Sequence, residues 1–452
     1  MGHTTITEEQ YTFQAGTKKQ LLIVLATGVV LLLIGIWFAM SSGHNEHGGG
    51  HTGLQSQQMV ASLGTEAASE GHGGEHHETA TWLKRLYTSL WMNNVYFVGL
   101  GVIGLFFVCI QYAAQAGWSA GVKRIPLAMG HWLPIAGVLT LVLWFVTHHD
   151  IFHWTHGYLY DKANPETFDE IIAGKAPYFF WPGEGGGMPL FFLARMIIFF
   201  AMWYWFFIMI KKNMMAEDLN GGTSYWTKNR SISAWFLVFF AVSSSVAAWD
   251  WVMSIDTHWF STMFGWYVFA SWWVTGLALI TLIVVYLKDA GYLKIVNANH
   301  LHDLGKFVFA FSVFWTYIWF GQFLLIYYAH IPEETVYFIE RMTTSPYSWI
   351  FFANLILNFV LPFLLLMTRD SKRHMSMLKV VCPIVIVGHW FDFYNMVTPG
   401  VMKEQGGLGL LEIGLALIFL AAFLWITLSS LSKMPLFGKN HPLLEESLHH
   451  HI

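Results

Sequence analysis

The chain has 452 residues, of which 55% are hydrophobic, 17% are aromatic and only 12% are charged. A soluble domain usually carries about twice that charged fraction, so the composition excludes an ordinary water-soluble protein. The net charge of −4 is too small to steer nucleic acid, which we therefore do not expect as a partner.

The two cysteines, Cys109 and Cys382, lie far apart in the chain and inside apolar runs. The sequence contains no CxxCH motif for covalent haem and no cysteine cluster for an iron–sulfur centre. Both cysteines are interpreted as small buried hydrophobic residues. We therefore expect no redox cofactor and no metal ion held by this chain.

Ten apolar runs are long enough to cross a bilayer as helices, which requires about 20 residues each. The first run is too long for a signal peptide and lacks a small-residue cleavage site, so it is predicted to remain as a helix. The predicted fold class is an all-α integral membrane protein with ten transmembrane helices. The predicted helices lie near Leu21–Met40, Asn93–Ala113, Ile125–Val146, Met188–Ile210, Ile232–Trp251, Thr262–Leu287, Phe307–Tyr328, Tyr347–Met367, Met375–Met396 and Leu408–Leu431.

Lysine and arginine are distributed unevenly between the segments that join these helices. Sixteen of the 24 basic residues fall in one alternating set of segments, six fall in the other set, and two lie within helices. Cytoplasmic segments of membrane proteins carry the excess of basic residues. Both termini are therefore predicted to be cytoplasmic.

Two of the predicted outer loops are long and rich in histidine. The first contains HNEHGGGH and GHGGEHHE, and the second contains THHDIFHWTH followed by several acidic residues. The first loop is typical of a flexible low-complexity segment, with metal buffering as the alternative. The second loop is long enough to dock a partner protein.

The order of the helices indicates an internal repeat. Predicted helices 2 and 6 both begin on the outer side, so helices 2–5 and 6–9 are predicted to form two four-helix bundles in the same orientation, flanked by helices 1 and 10. The sequences AAWDWVM around Asp250 and HWFDFYNM around Asp392 would then place two carboxylates at equivalent outer-side positions, although such a triplet also arises by chance. The predicted units are residues 1–92 (first helix and His/Gly-rich loop), 93–251 (first bundle), 252–400 (second bundle) and 401–452 (last helix and cytoplasmic tail).

Ionisable groups inside membrane spans are costly unless they are paired or hydrated, which makes each one a functional candidate. His389 and Asp392 are three residues apart and therefore share one helical face. A carboxylate next to an imidazole can accept and pass protons near neutral pH. The alternative is a structural ion pair or a carboxylate that caps a helix end.

Asp250, Arg195 and His131 complete the set of candidates for proton transfer or a quinol pocket. Arg195 is a candidate counter-ion for Asp250 or Asp392, and that pairing would account for it without any catalysis. His131 precedes Pro134 near the inner end of helix 3, where it belongs either to a proton entry or to a hydrogen bond with backbone freed by the proline. No catalytic residue is assigned, and Lys379 and Glu412 are interpreted as interfacial residues.

Two long motifs resemble a known family. WDWVMSIDTHWFSTMFGWYVFASWW, Trp249–Trp273, resembles the signature of NrfD-like proteins, the membrane subunits of polysulfide reductase and its relatives. FWTYIWFGQFLLIYYAHIPEET, Phe314–Thr335, is similar to the same region in the large membrane subunits of bacterial alternative complex III. The likeness extends from about Trp82 to Leu431.

The resemblance implies a place in a bacterial inner-membrane complex that oxidises menaquinol and passes electrons to a cytochrome c or a terminal oxidase. It implies partners that hold the redox centres: an iron–sulfur subunit, cytochrome c subunits with haem c, and an NrfD-like sister subunit. It also implies two four-helix bundles with two peripheral helices, and a menaquinol site of acidic and histidine residues near the periplasmic side. The open alternatives are that this chain binds quinol itself, that it supplies scaffold and a proton path, or that it is a stand-alone transporter. The long outer loops disfavour the transporter.

Overall fold

The computed structural model describes residues 9–43 and 79–451. The two His/Gly-rich sequences of the first loop, at 44–51 and 71–78, lie outside these residues, so their predicted flexibility stays a prediction. Within the described ranges the chain forms helices and turns, with an isolated β-bridge between Gln10 and Pro435 and no strand.

The described residues form sixteen α-helices. In chain order they are α1 Ala15–Gly43, α2 Thr81–Ala113, α3 Arg124–Met129, α4 Leu133–Ile151, α5 Glu170–Gly174, α6 Ala176–Phe180, α7 Leu190–Asn220, α8 Ser224–Trp251, α9 Phe264–Asp289, α10 Ala298–Ala329, α11 Pro332–Thr343, α12 Ser345–Leu355, α13 Leu361–Leu365, α14 Met375–Met402, α15 Leu410–Leu431 and α16 Leu444–Leu448.

Ten helical stretches in the described part of the chain are long and apolar enough to cross a membrane, as predicted. The protein is therefore an all-helical, multi-pass membrane protein. One span combines α3 and α4 through a 3₁₀ turn at Gly130–Trp132, and another runs from α12 through a π-helical turn at Ile356–Val360 into α13. The second span begins at Thr81, twelve residues before its predicted start, because helical hydrogen bonding continues through polar residues that hydropathy ignores.

The π-helical turn has a local cause in the sequence. Pro362 has no backbone N–H and its ring crowds the carbonyl of Asn358, four residues earlier, so a regular α-helix cannot continue there. Asn358 and Asn354 are both fully or almost fully buried, and the Asn358 amide donates to the Asn354 side-chain oxygen. The distorted turn therefore carries the buried Asn358 amide, which bonds to Asn354 near the end of the preceding helix α12.

Two helices, α2 and α9, form the centre of the molecule. Their span segments are almost entirely buried. Gly99 and Gly276 allow this close packing, because a Cβ atom at either position would collide with Trp272 or Ile103, respectively. Around this centre, α2 packs against α4 and α8, and α7 joins α4 to α8; α9 packs against α10 and α14, while α12 contacts α14 and α13 contacts both α10 and α14.

Helices α1 and α15 pack against each other along a row of glycines. A Cβ atom at Gly28 or Gly35 would meet α15 backbone, and one at Gly414 would lie 2.5 Å from the Leu32 nitrogen. The two backbones therefore touch directly, which is the usual way that membrane helices associate without a hydrophobic driving force.

Gly414→Val should lower the stability of the folded chain by about 1–3 kcal/mol, because the new side chain meets backbone that cannot move aside. The matched control is Gly321→Val, since a Cβ atom at that helical glycine meets nothing within 4 Å. Thermal unfolding of the two purified variants in one detergent measures the difference. Equal melting temperatures would contradict direct backbone packing of α1 on α15.

Candidate functional site

Asp392 lies on α14 and is fully buried among four helices. Its carboxylate accepts hydrogen bonds from the Tyr267 hydroxyl of α9, from Trp315 Nε1 of α10 at 2.9 Å and from Asn354 Nδ2 of α12 at 2.8 Å. These donors replace the water that the carboxylate loses on burial. All three donors are neutral, so the carboxylate is solvated but is not bound to a fixed cation.

His389 lies one turn before Asp392 on the same helix, and the structure brings the two side chains together. His389 Nδ1 is 3.7 Å from Asp392 Oδ2 and 3.0 Å from the Ser271 hydroxyl oxygen. The distance of 3.7 Å is too long for a hydrogen bond but short enough for a small rearrangement to form one. The other ring nitrogen, Nε2, is buried and has no hydrogen-bond partner among the described residues.

The sequence did not identify the three donors to Asp392. Tyr267 and Trp315 belong to the aromatic-rich motifs that carry the family resemblance, but composition alone cannot separate a packing ring from a hydrogen-bonding one. Asn354 lies in a predicted span without a charged neighbour, so nothing in the sequence nearby marked it as a functional candidate. An amide in an apolar span, about two turns before a proline, is the signal that could have identified it.

A narrow cleft adjoins Asp392, because Tyr267 and Asn354 line it as well. Gln322 Nε2 and both side-chain polar atoms of Asn395 are buried there and lack a hydrogen-bond partner in the described part of the chain. The cleft has room for roughly one water molecule. A bound water would satisfy these amide groups and would link them to the donors of Asp392.

Arg341 forms the far wall of this cleft. Its guanidinium lies 3.4 Å from the centre of the Tyr337 ring, donates to the Asn395 carbonyl at 2.7 Å and pairs with Asp256 Oδ2 at 2.8 Å. Lys403 lies 3.8 Å from Asp256 Oδ1, and its side chain is 61% exposed. Polar groups therefore extend from Asp392 through the cleft to the surface.

Glu340 lies at the surface end of this polar sequence, outside the membrane-spanning segments. Its Oε1 is 3.5 Å from Lys403 Nζ. Burial raises the pKa of Glu340 above its ordinary value, although Lys403 and Arg341 oppose the change. A carboxyl group of this kind can exchange protons closer to neutral pH than a fully hydrated one.

The second predicted carboxylate, Asp250, has a different environment. Arg195 of α7 holds it in a bidentate ion pair, with Nε–Oδ2 at 2.8 Å and Nη2–Oδ1 at 2.9 Å. The guanidinium also donates to the Tyr178 carbonyl at 2.7 Å and lies 4.3 Å from the centre of the Tyr178 ring. Asp250 is fully buried. This two-point contact accounts for Arg195 as the structural partner of Asp250.

The two aspartates also differ in their position along their helices. Asp250 is one residue before the last residue of α8, Trp251, whereas Asp392 is ten residues before the last residue of α14, Met402. Ten residues correspond to about 15 Å of helix. The similar triplets therefore occupy different places relative to the helix ends, and only one of them provides a carboxylate held by neutral donors.

His131 lies apart from both aspartates. Its Nδ1 is 3.1 Å from the Ala128 carbonyl, and its Nε2 is 2.8 Å from Lys211 Nζ. The histidine thus contacts both the backbone near Pro134 and a basic side chain of α7. The structure brings together the pairs His389–Asp392 and Arg195–Asp250. His131 belongs to neither pair and lies at a separate site.

The two residues interpreted as interfacial form ion pairs. Lys379 Nζ lies 2.7 Å from Asp289 Oδ2 at a partly exposed site. Glu412 is buried, accepts two hydrogen bonds from Arg85 and also accepts one from the Gly409 N–H at 2.8 Å. Glu412 therefore caps the start of α15 and joins it to α2.

The described residues contain no group of three or more His, Cys, Asp or Glu side chains arranged to hold a metal ion. A scan against protein-family models and a search of the curated proteins gave no match to this chain.

Asp250→Asn should destabilise the folded protein by about 3–5 kcal/mol, because it leaves the buried Arg195 charge without its partner. Adding Arg195→Met should restore part of the loss. The matched control is Asp289→Asn, which breaks a partly exposed pair with Lys379 and should cost less than about 1 kcal/mol. Thermal unfolding in detergent measures all three variants, and equal losses for the two aspartates would rule out a special role for the Arg195 pair.

Proposed function

We propose that this chain is a membrane subunit of a menaquinol:cytochrome c oxidoreductase of the alternative complex III type, corresponding to the subunit called ActF. In this proposal it resides in a bacterial inner membrane and supplies scaffold and proton-conducting residues. Its partners, namely an NrfD-like sister subunit, an iron–sulfur subunit and cytochrome c subunits, carry the haem c and the clusters. The two long motifs and the ten membrane-spanning helices support this assignment.

The observation that carries the proton-conducting role is the position of Asp392. A fully buried carboxylate inside a membrane protein is costly, and such residues are typical of proton relays. Its neutral donors Tyr267 and Asn354 line a cleft that continues to Arg341. A proton on Asp392 could pass through one bound water and the polar groups of the cleft to the surface. Asp250 offers no comparable exit, because a guanidinium occupies both of its oxygens.

The packing of the helices supports the proposed repeat. Each predicted unit corresponds to helices that contact one another in a ring: α2, α4, α7 and α8 in one, and α9, α10, α12–α13 and α14 in the other. The pair α1 and α15 lies outside both rings. The excess of basic residues in alternate segments supports cytoplasmic termini, so that the surface reached from Asp392 would face the periplasm.

Direct quinol binding by this chain is the second candidate. The cleft beside Asp392 combines the aromatic side chains Trp319, Phe338 and Phe351 with unpaired amides, which suits a quinol ring and its hydroxyl groups. It has room for roughly one water molecule, so a quinol would require these side chains to move. We therefore rank a proton-conducting role first. A quinone-analogue inhibitor that binds the purified chain and loses affinity in Gln322→Leu would reverse this ranking.

Asp392→Asn should lower quinol-driven turnover or proton release of the assembled complex by at least about tenfold, because the amide cannot carry the transferred proton. The control is Asp289→Asn, which removes a carboxylate at a partly exposed position. Turnover and proton release are measured in membrane vesicles, and co-purification of the partner subunits shows that the complex still assembles. Wild-type activity in Asp392→Asn would leave this chain only a scaffold role.

A further inference from the structure

A second polar pocket lies at the opposite end of the molecule from the Asp392 cleft. It forms where α2 ends and α3 begins, next to the end of α7 and beneath the C-terminal tail. Its ionisable lining residues are Tyr112, Lys123, Arg124, Glu217, Asp218 and His441. The excess of basic residues predicts that this end faces the cytoplasm.

Two oppositely charged groups are buried in this pocket without a direct bond between them. Lys123 is 1% exposed and Glu217 is 2% exposed. Both carboxylate oxygens of Glu217 lack a hydrogen-bond partner within residues 9–43 and 79–451. Lys123 Nζ lies 3.3 Å from His441 Nε2 and 4.2 Å from the centre of the Tyr112 ring. The ammonium is therefore held in place, whereas the carboxylate is left without a partner.

Two other charged side chains of the pocket, in contrast to Glu217, bind each other directly. Arg124 Nη2 and Asp218 Oδ2 are 2.5 Å apart and form a complete salt bridge. Glu217 immediately precedes Asp218 on the same helix, yet its carboxylate lines the pocket without a hydrogen-bond partner in the described ranges. A buried carboxylate without partners must either bind water or bind a proton.

The pocket offers the partners that a water molecule requires. The Tyr112 hydroxyl, like the Glu217 oxygens, lines the pocket and is buried without a hydrogen-bond partner in the described ranges. The pocket has room for roughly one water molecule, and a buried water needs two to four polar partners. One water could therefore link Glu217 to Tyr112 and to the Lys123 ammonium.

Lys123 lies just outside the membrane-spanning segments, and its charge is easily removed. Burial lowers the pKa of Lys123 to about 7, with Glu217 opposing the change and Arg124 adding to it. Burial, together with Lys123 and Arg124, lowers the pKa of His441 to about 2. His441 is therefore neutral at physiological pH, and its Nε2 lies within hydrogen-bonding distance of Lys123 Nζ while its Nδ1 accepts from the Leu443 N–H.

We propose that Glu217 and Lys123 form a buried proton-binding site that is closed by the C-terminal tail and bridged by one water molecule. The site deepens the proposed proton-conducting function by naming where a proton is taken up on the inner side. A proton that leaves the ammonium passes through the water to the carboxylate, which gives a neutral amine and a neutral acid with no change in total charge. One proton from the inner aqueous phase then recharges the amine.

The charged and titratable groups around the site come from four elements. Tyr112 belongs to α2, Arg124 to α3, Asp218 to α7, and His441 and Glu446 to the tail. Arg124 and Asp218 neutralise each other, so Glu217, and to a smaller extent Glu446, are the carboxylates left to balance Lys123.

The tail is anchored on both sides of the pocket. Asn440 Nδ2 donates to the Asp218 carbonyl at 2.8 Å, and the Ser447 hydroxyl donates to the Trp118 carbonyl at 2.9 Å. His441 lies between these anchors and contacts Lys123 directly. Exchange of the bound proton therefore requires the tail to move or a water to pass it.

Infrared difference spectroscopy of the purified full-length chain tests the proposal without turnover. As the pH rises from about 5 to about 9, the wild type should lose a protonated-carboxylic-acid carbonyl band that shifts in D₂O. Glu217→Gln should lack this band. Glu412→Gln is the matched control, since Glu412 is equally buried but is bonded to Arg85, and it should keep the band.

Two further variants test the proposal independently, in case Glu217→Gln does not fold. Lys123→Met removes the neighbouring cation, so the band should persist to a pH higher by at least about one unit. His441→Ala should accelerate hydrogen–deuterium exchange of the band, because the tail contact is lost. A band that is unchanged in Glu217→Gln, or unaffected by Lys123→Met, would overturn the proposal. Either result leaves the effect of Asp392→Asn on turnover untouched, so failure of this site is distinguishable from failure of the proposed function.

Discussion

The requirement that every polar group buried in a membrane protein must find a partner inside the protein governs the rest of this structure. Asp392 meets it through three neutral donors from three other helices. Asp250 meets it through one guanidinium. The two solutions differ chemically, because Asp250 has a fixed cation as its partner whereas Asp392 is held by neutral donors. Burial alone therefore does not distinguish a relay residue from a structural one.

The same requirement indicates where buried polar groups need a bound water as their partner. In the described part of the chain, the buried polar atoms without a hydrogen-bond partner include those of Gln322 and Asn395 in the cleft beside Asp392, and those of Tyr112 and Glu217 in the inner pocket. Both spaces suit single water molecules, not large ligands. They lie at opposite ends of the molecule, so a chain that moves protons would have one polar site near each face.

Helix packing places these sites, and small residues make the packing dense. Gly99 and Gly276 bring α2 and α9 together at the centre, where larger residues would collide with Trp272 and Ile103. Pro362 distorts the span that carries Asn354, and the distorted turn begins two residues after this donor to Asp392. Distorted helical turns are common at functional sites, because they turn a side chain or a backbone group away from its regular direction. The rigid centre and the single distorted turn together fix the geometry around the carboxylate.

The sequence by itself determined the fold class, the ten spans and the shared face of His389 and Asp392, because hydropathy and helical periodicity are local properties. It also restricted Arg195 to two carboxylates, but only the tertiary structure decided that the partner is Asp250. The sequence could not predict the donors to Asp392. It also could not predict that Lys123, Glu217 and His441 line one pocket. These contacts join residues that are dozens to hundreds of positions apart, and no local pattern encodes which helices become neighbours. Local chemistry thus named the candidates, and long-range packing decided which of them share a site.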